Sequence, residues 1–469
     1  MEDSHSIIVE TMPSSVVNPS PATVVEMLLT MDDAHSANID LASSAPQDPF
    51  VSKEVQNLVQ KINAGSSALD KGGEVGRKQL LADATALCLA LETPIETLLR
   101  ITWSQSTYYA VLKIAVDVNL FEKLGENHSS PKTIPQLANM TGVSVELMGR
   151  MIRHLGAMGA VLELEDGLYA PSRLAKNLTI PVYRDTVVAC FDMQGPALSN
   201  LPKYLAQTGY RNPENPVDGP WQYGHKTPLH FFDWLVANPK TFSAFNNHMS
   251  AYSQGRPSWM DPDFYPTEER LIKGFEAGTD SVLLVDQAGG LGHDLEELCR
   301  KLPHAPGRLI LQDQAKVIET VKADLDPRIT PMAHDIFTPQ PIQGARAYFM
   351  HSILHDWPDE KCRDILRHLI TAMKPGYSKL LINELVIRNR GAHPATTGLD
   401  WLMMALMSSS ERTEQDWTDL LQSVGLTVVG IWTHSPGTES LIEAVIPTML
   451  DDYLQHQSQL YHKTEESAD

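Results

Sequence analysis

The stretch HSILHDWPDE, residues 351–360, places His355, Asp356 and Trp357 directly after the apolar pair Ile353 and Leu354. A neutral imidazole at the exit of a buried strand is well matched to withdraw a proton from a phenol or similar acidic hydroxyl near neutral pH. Such a base needs a partner that holds its tautomer. Two glutamates are placed to do this: Glu384 ends the run KLLINE, and Glu411 opens ERTEQDW after MMALMSSS. A base oriented by a carboxylate follows the logic of the hydrolase triads, here without a covalent nucleophile. The same residues would also serve as a capping histidine and two helix-flanking glutamates, so spacing alone leaves both readings open.

A second constellation lies in LLVDQAGGLGHDL. A strand over 282–286 runs into Gly289, Gly290 and Gly292, and a helix opens near His293 and Asp294. Glycines there let the backbone turn sharply and approach a ligand closely. The dinucleotide pattern G-x-G-x-x-G fails, because its third glycine would fall on Leu295. The acidic strand end at Asp286 suits a cationic nucleoside ligand better than a pyrophosphate. Asp313, in LILQDQ, is placed to take both hydroxyls of a ribose. Asp335, in AHDIF, could meet an adenine amino group, with Ile336 or Phe337 against the face of the base. Each aspartate by itself would pass for a solvated loop residue. Three at successive strand ends suggest one nucleoside site.

The elements needed to position these groups are legible in the same region. After residue 280, short apolar runs ending in polar groups alternate with helical segments such as 359–373, which implies an α/β domain with a parallel sheet covered on both faces. Ligands of such sheets sit beyond the carboxyl ends of the strands, where every polar cluster above falls.

Upstream, residues 54–125 read as helices that are apolar around much of their circumference. Residues 133–178 follow the pattern of a winged helix: a short helix, a turn at Gly142, a second helix over 144–158, and a hairpin turning at Asp166 and Gly167. Arg150, Arg153 and His154 lie on the second helix, but the surroundings are acidic, so docking or dimerisation fits better than DNA contact. The aromatic, loop-rich segment 180–275 suits either an apolar pocket or plain core. The expected organisation is a disordered extension over 1–50, a helical winged-helix domain over 51–180, a helical pocket region over 181–275, a catalytic domain over 276–450 and a flexible tail over 451–469.

Composition narrows the function classes. Lys plus Arg total 37 against 58 Asp plus Glu, a formal net charge of −21, which argues against nucleic acid or an anionic membrane surface as partner. Cys88, Cys190, Cys299 and Cys362 are scattered without a C-x-x-C pair, fitting neither a zinc site nor a disulfide framework, so the expected compartment is the reducing cytoplasm. No apolar run approaches the length of a membrane span.

These motifs, taken in order, resemble a family of S-adenosylmethionine-dependent O-methyltransferases of the caffeic-acid and flavonoid type, in particular the fungal sterigmatocystin-type members that act on aromatic polyketides. The resemblance covers about residues 90–450 and rests on LVDQAGGLGHDL, LILQDQAKVI, HDIF, ILHDWPDEKC, LLINELVI and ERTEQDWTDLL. It implies a doubly wound Rossmann-like methyltransferase sheet, an N-terminal winged-helix dimerisation domain, a homodimer, and S-adenosylmethionine as cofactor with no metal. It further implies that Asp286, Gly289, Gly290, Asp313, Asp335 and Ile336 meet the cofactor. His355 would be the base, with Glu384 and Glu411 flanking it and Asp356 beside it. Phe245, Met249, Met403 and Met407 would lie near the ring of a small aromatic substrate.

Three departures stand out. The family's Val-Gly-Gly-Gly reads Gln287-Ala288-Gly289-Gly290, which is tolerable if the backbone angles of Ala288 are ordinary. His351 replaces a lysine that often contacts the cofactor. LMSSS replaces the Asn-Pro-Gly-Gly of plant members and is one residue shorter, so the pocket floor differs. Two rivals remain: a non-methylating enzyme of the same fold that catalyses dehydration or pericyclic ring closure, and a non-catalytic winged-helix binding protein.

Overall fold

The computed structural model describes residues 49–67, 69–252, 255–321 and 325–448. Nearly all of the expected N-terminal extension, and the whole C-terminal tail, lie outside the described residues. The chain divides into two compact units, one ending at Thr97 and the other beginning at Leu98. In the first, the helices Pro49–Ser67 and Leu69–Leu91 pack against each other.

In the second unit, helices Ser106–Asp117 and Leu120–Ser129 lead into the winged helix. Thr133 forms a reciprocal capping box with Gln136 at the start of helix Ile134–Thr141, which ends on Gly142 in the left-handed region (φ 74°). Ser144 caps helix Val145–Ala157, whose Met148, Met151, Ile152 and Leu155 are buried. Three strands complete the module: β1 (Lys132–Thr133), β2 (Val161–Glu165) and β3 (Leu168–Pro171), with β3 pairing antiparallel to both others. The buried stripe and the turn signals explain why this module was readable from the sequence. Helix Pro181–Gln207 follows and packs on helices Pro239–Tyr252 and Pro394–Met407.

The catalytic region carries β4 (Val282–Gln287), β5 (Arg308–Asp313), β6 (Ile329–Ala333), β7 (Ala347–His351), β8 (Lys379–Glu384), the short β9 (Val386–Ile387) and β10 (Arg412–Thr413), β11 (Thr427–Thr433) and β12 (Ser440–Val445). Seven of these form one sheet in the order β11-β12-β8-β7-β4-β5-β6. The run from β8 to β6 is parallel, whereas β12 pairs antiparallel to both β8 and β11. The sheet is therefore mixed rather than wholly parallel. A short turn joins β11 to β12, and a hairpin forces antiparallel pairing where a helical crossover would not.

Both faces are buried, as a strand's two-residue period requires. Tyr348 and Met350 of β7, with Leu380 and Ile382 of β8, pack against helices Asp359–Ile370 and Glu414–Gln422. Ala347, Phe349 and Leu381, on the other face, pack with Leu295 and Leu298 of helix His293–Lys301 and with Trp259 and Tyr265. This double layer fixes the carboxyl ends of β4, β5, β7 and β8 beside one another.

Candidate active site

Four strand ends build the nucleoside side of the site. Asp286, inside the end of β4, is fully buried, and neither carboxylate oxygen has a hydrogen-bond partner. Burial, and next the Asp294 carboxylate, push its pKa well above the ordinary range, while His351 opposes them. Gly289 lies so close that a Cβ there would stand 2.3 Å from Asp286 Oδ2, so only glycine fits. Gly290 donates its N–H to Asp313 Oδ2 at 2.8 Å, tying the glycine turn to the end of β5. Gly292 sits at φ 86° and opens helix His293–Lys301.

Ala288 departs from the expectation of ordinary backbone angles. Its φ is 56°, in the left-handed region, where a side-chain methyl costs about 1–2 kcal/mol because Cβ crowds the following carbonyl. The turn keeps its shape because the Gly289 N–H bonds the Gln312 carbonyl and Gly290 bonds Asp313.

His351 is held between two carboxylates, its Nδ1 2.8 Å from Asp294 and its Nε2 3.2 Å from Glu439. Burial lowers its basicity, yet Asp294 and Glu439 outweigh that and raise it well above the usual histidine value. Asp313 also accepts the Gln314 N–H at 2.7 Å. Asp335 is exposed and accepts the Phe337 N–H at 3.0 Å, while Ile336 is half-buried against the sheet. The Phe337 ring meets Trp357 edge-on, with centroids 4.8 Å apart. The unpartnered Asp286 carboxyl group, the glycine walls and Asp313 together fit a cationic nucleoside.

The second cluster forms around His355, in the 3-10 turn Leu354–Asp356 that follows β7. His355 is 8% exposed, and Glu384 and Glu411 are also buried. Nδ1 lies 2.7 Å from Glu411 Oε1 and 3.8 Å from Glu384 Oε2, and Nε2 lies 3.4 Å from Asp356 Oδ1. The short contact assigns Glu411 as direct partner of the ring. Glu384 does something else. Its Oε1 accepts the N–H groups of Ile353 and Leu354, each at 2.9 Å, and that of His355 at 3.4 Å. It holds the main chain of the turn more than the imidazole. The two glutamates look equivalent in the sequence and are not.

Burial lowers the basicity of His355, but Glu384, Asp356 and Glu411 together outweigh it and lift the pKa to about 10. Burial in turn lifts Glu384 to about 7 and Asp356 to about 6. These shifts favour a charged ring over the neutral imidazole that the sequence suggests, because three acidic groups face it in one buried site. Donor atoms of His355, Glu384 and Glu411 all lie within 4.8 Å of one another, a spacing that could also hold a metal ion.

Phe245, Met403 and Met407 share one apolar cluster with Met193, Trp221 and Phe231, and helix Pro394–Met407 of that cluster meets the turn that carries His355. Met249 is 38% exposed and is not packed into that cluster. Two buried charged residues beside these clusters, Arg412 and Glu439, escaped the sequence reading. Arg412 adjoins Glu411, and its place in ERTEQDW was the available signal. Glu439 gave none, because its partners Arg256, His351, Ser352 and Asn383 come from three distant segments.

An α/β sheet with a glycine turn, aspartates and a histidine–glutamate cluster at adjacent strand ends is an arrangement suited to a nucleoside-dependent group-transfer enzyme. A family model for the O-methyltransferase domain matches residues 267–427. The chain is 38% identical over 389 residues to the O-methyltransferase mpaG of Penicillium brevicompactum, covering 83% of this chain and 98% of that protein. It is 33% identical to the demethylsterigmatocystin 6-O-methyltransferase of Aspergillus parasiticus, over 79% of this chain and 94% of that one. The solved structure of LepI with S-adenosylmethionine is 29% identical, with a TM-score of 0.75 over 84% of this chain and 99% of that one. A structure described as a pericyclic reaction enzyme is also 29% identical, with a TM-score of 0.73 over 85% and 99%. The chain belongs to the S-adenosylmethionine-dependent O-methyltransferases, and methyl transfer from that cofactor to oxygen, leaving S-adenosylhomocysteine, is its chemistry.

Proposed function

We propose that this enzyme methylates a phenolic or enolic hydroxyl of an aromatic secondary metabolite of polyketide type, with His355 as general base. The observation that carries the reading is the 2.7 Å contact between His355 Nδ1 and Glu411, which leaves Nε2 as the nitrogen that can take a proton. Bound S-adenosylmethionine supplies a methyl group already activated on a sulfonium. Asp286, Gly289, Gly290, Asp313, Asp335, Ile336 and His351 are the residues assigned to hold it, Asp286 with its two free carboxylate oxygens. His355 gives up its Nε2 proton when a second positive charge enters the buried site, since like charges disfavour each other there. The freed Nε2 then accepts the acceptor's hydroxyl proton, Glu411 steadies the imidazolium that re-forms, and Asp356 faces Nε2 at 3.4 Å. Phe245, Met403 and Met407 offer the apolar wall for the ring, and Met249, exposed on the same helix as Phe245, is the remaining substrate residue assigned.

The two-unit chain is proposed to work as a cytoplasmic homodimer. Leu98 and Ile101, one helical turn apart, are 56% and 50% exposed and Trp103 is 67% exposed, apolar surface that suits a second copy; light scattering that finds a monomer would remove this part. No helix among the described residues is long and apolar enough to cross a membrane.

The decisive experiment supplies methyl-labelled S-adenosylmethionine and a panel of phenolic polyketides to wild type and His355→Ala. Wild type should label an acceptor, and the variant should lose turnover by about 10²–10⁴-fold without losing cofactor affinity. Equal turnover in both would end the base assignment. A new but unlabelled product would favour the second reading, a non-methylating reaction, which the likeness to the pericyclic enzyme supports.

A further inference from the structure

We infer that Arg412 is a positioning residue for the reaction, acting as a clamp that sets where the His355 ring stands. This rests on His355 being the base. Arg412 is 2% exposed. Its Nη1 donates to the Leu354 carbonyl and its Nη2 to the Trp357 carbonyl, both at 3.0 Å. Those two carbonyls bracket His355 and Asp356 on either side. Asp359, at the start of the next helix, holds the guanidinium from behind: its Oδ1 accepts from Nε at 3.0 Å and from Nη2 at 2.8 Å. The plane of the guanidinium is fixed further by the Trp417 ring, whose centroid lies 5.1 Å from Cζ. The Cys362 thiol donates to the same two carbonyls, at 3.1 and 3.2 Å.

The turn is therefore gripped on both sides of its main chain. Glu384 takes the N–H groups of residues 353–355, and Arg412 takes the carbonyls of 354 and 357. Arg412 directly follows Glu411, whose carboxylate holds the ring itself. A single dipeptide thus fixes both the imidazole and the backbone that carries it, and strand β10 seats that dipeptide by pairing Arg412 with Val386, two residues past Glu384. Arg412 makes these four bonds from three nitrogens, Nε, Nη1 and Nη2; a lysine ammonium carries three donors on a single nitrogen and cannot reproduce all four.

The test compares wild type, Arg412→Lys, Asp359→Asn and His355→Ala. It reads methyl transfer to the labelled acceptor, cofactor affinity by calorimetry, and melting temperature. Arg412→Lys should keep its fold and cofactor affinity while kcat falls about 10²-fold, the scale of an ångström's misplacement of a catalytic group. The loss should shrink with nitro-substituted phenols that reach the enzyme already ionised, since those need no proton removed; a merely structural role would not follow acceptor acidity. Wild-type kcat in Arg412→Lys overturns the inference, as does a loss of kcat that follows a loss of cofactor affinity. Should Arg412→Lys fail to fold, Asp359→Asn decides: a several-fold fall in kcat at unchanged melting temperature supports the clamp, and no change sinks it. If no acceptor turns over, the Nδ1 resonance of His355, assigned by its absence in His355→Ala, must move in Arg412→Lys or Asp359→Asn, and an unmoved resonance refutes the clamp. Full activity in His355→Ala would instead fell the base reading, whatever the other variants do.

Discussion

Replacing Glu411 by glutamine removes one negative charge from a site that water does not reach, and leaves side-chain volume nearly unchanged. The wild-type contact is a 2.7 Å hydrogen bond from His355 Nδ1–H to Oε1. Hydrogen bonds to charged groups contribute about 1.5–3 kcal/mol. If the amide keeps its oxygen toward the ring, losing that much support for the imidazolium slows turnover roughly 10–150-fold, at about 1.4 kcal/mol per decade. If the amide turns its nitrogen toward the ring, Nδ1 must accept and the proton moves to Nε2. The nitrogen facing the acceptor is then blocked, and losses from a wrong tautomer reach about 10⁴-fold in hydrolase triads. The expected outcome is a kcat lowered by about 10–10⁴ with cofactor affinity not weakened, because Glu411 is assigned no cofactor contact and its loss makes the His355 ring easier to deprotonate. Steady-state kinetics with labelled S-adenosylmethionine, alongside calorimetric cofactor titration, measures both. A fall of less than about 10-fold lies below what a charge-assisted bond supplies. It would refute Glu411 as the orienting partner and return that role to Glu384, at 3.8 Å.

Two further outcomes follow from the geometry. Ala288→Gly relieves a methyl held at φ 56° and should raise unfolding free energy by up to about 1 kcal/mol, read as a higher melting temperature; an unchanged or lower value contradicts the strain. His355, raised to about 10, should release a proton when S-adenosylmethionine binds, so affinity should strengthen as pH rises toward 10. The sign follows from linkage, since a cation that lowers a neighbour's basicity binds best where that neighbour is already deprotonated. Calorimetry in two buffers of different ionisation enthalpy counts the proton, and identical heats would mean that the ring was neutral from the start.

The local chemistry of this chain determined much by itself. Alternating apolar runs, glycine turns and helix caps depend on near neighbours, so the strands from Val282 to Glu384, the winged helix and the glycine loop were all legible. His355, Glu384 and Glu411 were identifiable as one set because each falls at the end of an apolar run. The tertiary structure alone decided how those three divide their labour. Whether a glutamate faces a ring or three backbone N–H groups depends on how β8, β10 and the turn after β7 meet in space. The raised basicity of His355 was equally out of reach, since it reflects acidic groups gathered from residues 356, 384 and 411 into one buried site. The left-handed turn at Ala288, the reversal of β12, and the grips of Glu439 and Arg412 likewise rest on partners far along the chain. Such contacts exist only once the sheet has closed around them.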